Sequence, residues 1–102
     1  MKCIVDFDID EISKFDFKLY TSKNQISCKN NILKYLRSFP QCAFTSAEVK
    51  DKYTNNIFCD ADNARSDGVY IWYESEIYHF EKYNLTLNED FIKHALKRFS
   101  KE

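Results

Sequence analysis

The most constraining stretch is Val69-Tyr70-Ile71-Trp72-Tyr73, because it has no polar side to give to water. Alternate residues of a strand point to opposite faces, so Val69, Ile71 and Tyr73 share one face and Tyr70 and Trp72 the other. Both sets are apolar, and a strand of this kind belongs in the centre of a sheet with cover on two sides. Asp67-Gly68, a frequent turn pair, precedes it and holds the only glycine of the chain. From Ser75 the period changes. Ile77, Phe80 and Tyr83 recur every third residue, which predicts a short amphipathic helix. Glu74 and Glu76 favour its positive end, and Asn84 suits a left-handed stop.

Such a strand needs neighbours. Residues 2–9 alternate, with Cys3, Val5, Phe7 and Ile9 on one face, and predict a strand. Phe15, Phe17 and Leu19 alternate with Asp16 and Lys18 and predict a second strand, antiparallel to the first. Asp6, Asp8, Asp10, Glu11 and Asp16 would crowd the polar face of the pair, as a solvated surface. "SCKNNILKYLRSFP" reads as a helix with Ser27 as N-cap and a stripe of Cys28, Ile32, Tyr35, Leu36 and Phe39. Pro40 stops it. Residues 42–53 fit either a strand or a short helix, "NIFCD" a strand, and "ADNARS" a polar loop. The segment "LTLNEDFIKHALKRFS" supplies the last helix. Asn88 caps it, Leu87 staples onto Ile92, and Ile92, Ala95, Leu96 and Phe99 form its buried stripe. Lys97, Arg98 and Lys101 suit its negative end.

These elements predict one α+β domain over residues 1–102. It has a small, mainly antiparallel sheet and about three helices, two of them consecutive at the C-terminus. The length of 102 residues leaves no room for a second core. One Gly and one Pro leave few positions for positive-φ turns, while nine Phe, seven Tyr and one Trp supply large apolar area for a short chain.

A formal net charge of −1 lacks the basic excess of a nucleic-acid binder. The opening residues have no long apolar run, so neither a signal peptide nor a membrane span is expected, and the cytoplasm is the expected location. Cys3, Cys28, Cys42 and Cys59 form no Cys-x-x-Cys pair. They read as reduced, mostly buried thiols.

Three kinds of chemistry merit consideration. "DADNARSDG" offers Asp60, Asp62 and Asp67, but Ala64 and Arg65 occupy the fifth and sixth positions where a calcium loop needs an oxygen ligand and a glycine. No metal or cofactor is expected. His79 and His94 with nearby carboxylates could serve a small metal-dependent enzyme or nuclease, although their spacing gives no reason for them to meet. A macromolecular contact surface is the third, since Trp and Tyr dominate interface energetics. Tyr70, Trp72 and Tyr78, together with Tyr73 and Tyr83, cluster among Asp60, Asp62, Asp67, Glu74 and Glu76.

The same C-terminal stretch resembles a group of small, mostly uncharacterised bacterial proteins. Asp67, Gly68, Tyr70, Trp72, Glu74, Tyr78, His79, Leu87, Phe91 and His94 carry the resemblance, which covers about the last 35 residues. Relatives often have a Cys-x-x-Cys upstream, where this chain has Thr45 three positions after Cys42. Tyr73 stands where a proline commonly follows the tryptophan. In type, the chain also resembles immunity proteins, which neutralise a cognate toxin of contact-dependent growth inhibition or similar systems. The expectation is therefore a non-enzymatic binding protein, monomeric or homodimeric, that covers the basic active site of a toxin. Its contact residues would be Asp60, Asp62, Asp67, Tyr70, Trp72, Glu74, Glu76 and Tyr78. It would bind neither nucleic acid nor membrane directly. A homodimer using the aromatic patch as its own interface is a further alternative.

Overall fold

A computed structural model describes residues 2–7 and 11–99. In chain order the elements are β1 (Lys2–Cys3), α1 (Lys14–Phe17) with a following 3₁₀ turn (Lys18–Tyr20), α2 (Lys29–Ser38), β2 (Gln41–Ala43), β3 (Val49–Lys50), β4 (Ile57–Cys59), β5 (Ala64–Ser66), β6 (Tyr70–Tyr73), α3 (Glu74–Tyr83) and α4 (Glu89–Phe99). The fold is α+β. β6 does lie inside a four-stranded sheet, of order β1-β6-β5-β2, and β3 and β4 form a separate antiparallel pair.

The Asp67-Gly68 turn joins β5 to β6 antiparallel, with Gly68 at φ +95°, a conformation L side chains rarely adopt. Asp67 Oδ1 accepts the amides of Val69 and Tyr70 at 2.9 and 2.8 Å, which holds the turn from inside. Register places Trp72 beside Arg65, and Arg65 beside Gln41. On this face Trp72 and Tyr70 are buried beneath α2 and α4. The indole is ringed by Tyr35, Phe39 and Phe91, and Tyr70 packs on Phe91. The indole N–H donates to Leu36 O at 3.0 Å, so burial strands no polar atom. The opposite face is less covered than expected: Ile71 is half-buried and Tyr73 and Val69 are exposed.

α3 begins where β6 ends. Glu76 Oε1 accepts the Tyr73 amide and Asp62 accepts the Ser75 amide, satisfying donors that the helix start leaves free. Asn84 ends the helix in the left-handed region at φ 56°. Lys29 of α2 donates to Glu81 O and Asn84 Oδ1, both at 2.7 Å, and fastens the two helices together. Asn88 Oδ1 caps α4 by accepting the amides of Asp90 and Phe91. Phe91 and Ala95 are the residues of α4 buried most deeply.

Several expectations change. The strand over 2–9 shortens to Lys2–Cys3 and pairs in parallel with β6. Ile4 and Val5 are both buried, which a period of two does not allow, because the chain bends to let Ile4 O accept the Asn88 amide at 2.7 Å. Asp8, Ile9 and Asp10 lie outside the described residues, as does Lys101. The second strand is instead one helical turn. Ser13 caps it through the Asp16 amide, and Phe17 alone enters the core, leaving Phe15 and Leu19 exposed. α2 starts after Cys28, whose carbonyl accepts the Ile32 amide, so Ser27 is not its cap. "ADNARS" is half strand. Arg65 reaches the covered face because its guanidinium finds Glu74, Phe39 O and Arg37 O. The thiols are all free, with Cys3 and Cys42 exposed and Cys28 and Cys59 half-buried.

Candidate functional site

Two aspartates dominate the polar interior, and neither exposes its carboxylate. Asp51 follows β3. Its Oδ1 accepts the amides of Tyr53 and Thr54 at 2.8 and 3.0 Å, which shapes the β3–β4 hairpin turn. Its Oδ2 accepts the phenols of Tyr78 and Tyr83, each at 2.6 Å, with the exposed ammonium of Lys82 at 3.5 Å. Burial pushes the carboxyl up, but the phenols and amides outweigh it and hold Asp51 well below the usual carboxylate range. The same contact works in reverse on the phenols. Burial and the adjacent carboxylate raise Tyr78 and push Tyr83 up to about 12. Lys82 is raised, first by its bond to the Tyr78 phenol.

His79 sits beside this hub with no exposed surface. Its Nε2 accepts the Lys52 amide at 3.0 Å, and its Nδ1 lies 2.6 Å from Ser75 O. A backbone N–H donor facing Nε2 and a carbonyl acceptor facing Nδ1 fix the neutral tautomer protonated at Nδ1. Both nitrogens thus hold the hairpin against α3. Phe58 of β4 stacks on Tyr78 with ring centroids 3.7 Å apart, adding an apolar clamp.

Asp67 is the second hub. Besides the two turn amides, its Oδ2 accepts the Tyr35 phenol at 2.5 Å and His94 Nε2 at 2.8 Å, with Arg98 at 3.6 Å. Burial raises this carboxyl. The bonds from Tyr35, the Tyr70 and Val69 amides and His94 prevail and lower it. This hub ties the β5–β6 turn to α2 and α4. The two histidines do not meet: each serves its own aspartate or hairpin. Among the described residues no group of three or more His, Cys, Asp or Glu side chains is placed to hold a metal ion.

Of the eight expected contact residues, Tyr70, Trp72 and Glu76 are buried and present no contact surface. The Asp67 carboxylate is equally enclosed. Trp72 and Tyr70 are core because a domain this small fills its one interior with its largest rings. Glu76 is held by the start of its own helix. Asp60 is exposed, and Asp62, Glu74 and Tyr78 are half-buried. Glu74 takes Arg65 at 3.0 Å and Gln41 at 3.2 Å, and Asp62 takes the Ser75 amide and hydroxyl. Asp62 and Glu74 do come together at one end of β6, where the Glu74 amide donates to Asn63 O and the Ser75 amide to Asp62, and Asp60 is exposed two residues before Asp62.

An aromatic that sequence reasoning overlooked stands at this end. Phe44 is 75% exposed. Its neighbour Thr45 accepts the Asp62 amide through its carbonyl at 3.0 Å and donates its own amide to Asn63 Oδ1 at 3.2 Å. The acidic loop 60–63 therefore lies next to Phe44, with Tyr73 exposed nearby through its pairing with Ala64. The available signal was the uncharged run 41–47 after the helix-stopping Pro40. Beside this surface, a cleft of about 480 Å³ opens between residues 12–14, the β3–β4 hairpin and α3.

Compared with protein-family models, curated proteins and solved structures, the chain matches none.

Proposed function

We propose that this chain is a non-enzymatic cytoplasmic binding protein, an immunity protein that neutralises a cognate bacterial toxin by covering its basic active site. One observation carries the reading: Phe44, exposed and uncharged on both flanks, stands beside the acidic loop holding Asp60 and Asp62. A protruding ring with carboxylates around it has the make-up of an interface anchor, the ring supplying desolvated area and the acids supplying steering toward a basic partner. The contact set is Phe44, Tyr73 and Asp60, with Asp62 and Glu74 behind them. The internal commitment of His79, His94, Asp51 and Asp67 favours binding over catalysis, since each already serves the fold.

Copurification with the toxin domain encoded beside the gene, followed by a neutralisation assay, tests this. Phe44→Ala with Asp60→Lys is expected to weaken binding at least about thirtyfold, the effect of an anchor worth about 2 kcal/mol. Phe15→Ala, at an equally exposed ring elsewhere, should leave it unchanged. Full protection by the double variant would overturn the assignment of the surface.

A further inference from the structure

The four-stranded sheet turns its long polar residues toward its helices. Residues paired in register share a face, so Lys2 lies on the side of Tyr70, and Arg65 and Gln41 on the side of Trp72, where α2 and α4 pack. The Lys2 ammonium stands over the Tyr70 ring, 5.8 Å from its centroid, and the Arg65 guanidinium finds Glu74, Phe39 O and Arg37 O. The opposite face carries Cys3, Ala43, Ala64, Ser66, Ile71 and Tyr73, with Val69 at the entry to β6. Cys3, Ala43, Val69 and Tyr73 are exposed, and Ile71 and Ser66 are half-buried. None of these side chains is charged. A sheet with helices on one face ordinarily puts apolar residues toward them and polar ones toward water. Here water meets a flat, neutral, largely apolar face.

The two ends of this sheet differ in sign. β1 runs parallel to β6, so Lys2 stands with Tyr70 at the start of β6. Arg98 of α4, partly exposed, donates to Asp67 O at the same end, at 3.1 Å, and the Asp67 carboxylate there is enclosed. At the other end β6 stops at Tyr73 and β5 begins at Ala64, its register partner. The loop entering there brings the exposed Asp60 and the half-buried Asp62.

We propose that the neutral face packs against the same face of a second copy of this chain, in a two-fold dimer whose strands run antiparallel across the interface. Two flat sheets stack face to face about 10 Å apart, and a two-fold axis joins one patch to itself. The uncharged face offers a charged partner nothing to read, whereas an identical face matches it in shape and polarity. Charge at the rims selects the sense of packing. With strands antiparallel, the Asp60 end of each copy lies over the Lys2 end of the other, while a parallel sense would set like charges together. Four short strands make a small interface, so association is weak, with a dissociation constant on the order of 100 μM. Tyr73 also belongs to the surface assigned to the toxin, so dimer and toxin complex exclude one another.

Sedimentation equilibrium of the intact chain, from about 10 μM to about 1 mM, tests this. A monomer–dimer equilibrium is expected, weakened at least about tenfold by Val69→Lys and unchanged by Leu19→Lys, at an exposed apolar residue away from the sheet. Asp60→Lys should weaken it too, and Asp60→Lys with Lys2→Glu should restore it, since opposite charges then face each other again. Circular dichroism checks that each variant is folded. Cys3 supplies a readout that needs no variant: its reaction with a thiol reagent should slow as concentration rises through the dimer range. A monomer at every concentration, equal effects of Val69→Lys and Leu19→Lys, no restoration by the paired charge reversal, or a Cys3 rate independent of concentration would each overturn the dimer. Self-association is read without toxin, so failure of one proposal leaves the other standing.

Discussion

Replacing Asp51 should be among the most damaging single changes on this chain, although nothing in its sequence neighbourhood marks it. The carboxylate gathers two phenols at 2.6 Å and two amides at 2.8 and 3.0 Å. A hydrogen bond to a charged group contributes about 1.5–3 kcal/mol, so the four bonds sum to about 6–12 kcal/mol taken singly. That sum is too large. Lys82, half exposed and 3.5 Å away, marks how close water lies, and hydration of the freed phenols returns part of the loss. Breaking a buried charged set costs about 3–5 kcal/mol, which is the expected effect of Asp51→Ala. In a domain of this size that lowers Tm by roughly 15–30 °C. Asp51→Asn keeps one acceptor for the amides but turns a donor toward the phenols, and should cost about 2–3 kcal/mol. Tyr83→Phe leaves the other phenol in place and should cost about 1–2 kcal/mol. Urea unfolding followed by circular dichroism at pH 7 measures all three. Costs below about 0.5 kcal/mol for both Asp51→Asn and Tyr83→Phe would refute the hub as a source of stability.

Both hub carboxyls are lowered in the folded chain, while an unfolded Asp titrates near 3.9, so their contribution is complete above about pH 5 and is lost as the pH falls through the lowered values. Urea midpoints should therefore drop more steeply below pH 4 in the native chain than in Asp67→Asn, and equal slopes would contradict this. At the alkaline end the sign reverses: with Tyr83 up at about 12 and unfolded tyrosine near 10, stability is full below pH 10 and drains between the two values. Ultraviolet titration should accordingly show part of the tyrosine absorbance appearing late, and a single step near 10 would count against the phenol–carboxylate bonds. Cys3 and Cys42 are exposed and should react with a thiol reagent in the native state ahead of Cys28 and Cys59. Four thiols reacting at one rate would not fit.

How far the sequence spoke for itself depended on whether the deciding forces were local. β6 and the helix after it are legible because strand alternation, the Asp-Gly turn, the acidic first turn and Asn84 all act within a few residues, and each holds. The stop at Pro40 and the Asn88 cap are local in the same sense. The N-terminal third is not. Phe15, Phe17 and Leu19 alternate as a strand would, yet the deciding contact is Phe17 against Tyr53 and His79, on segments far along the chain. Arg65 could not be foreseen inside a strand because its acceptors belong to Arg37, Phe39 and Glu74. Asp51 was invisible for the same reason: its phenols lie 27 and 32 residues away.

The aromatic residues can now be separated into rings that build the interior, such as Trp72, and rings that face outward, such as Phe44, and the separation is testable in both directions. Trp72 is fully buried, touches Tyr35, Phe39 and Phe91, and donates to Leu36 O. Trp72→Ala should cost about 3–5 kcal/mol, and any loss of partner binding should follow the fraction unfolded. Phe44 has water on most of its surface and should behave in the opposite way, with Phe44→Ala changing stability by less than about 0.5 kcal/mol while weakening the complex. Titrating each variant with the partner under strongly native conditions, after its unfolding curve is known, tells the two apart. If Trp72→Ala left stability intact and abolished binding, the indole would belong to the interface after all, and both the packing of α2 and α4 on the sheet and the surface assigned to the partner would have to be redrawn.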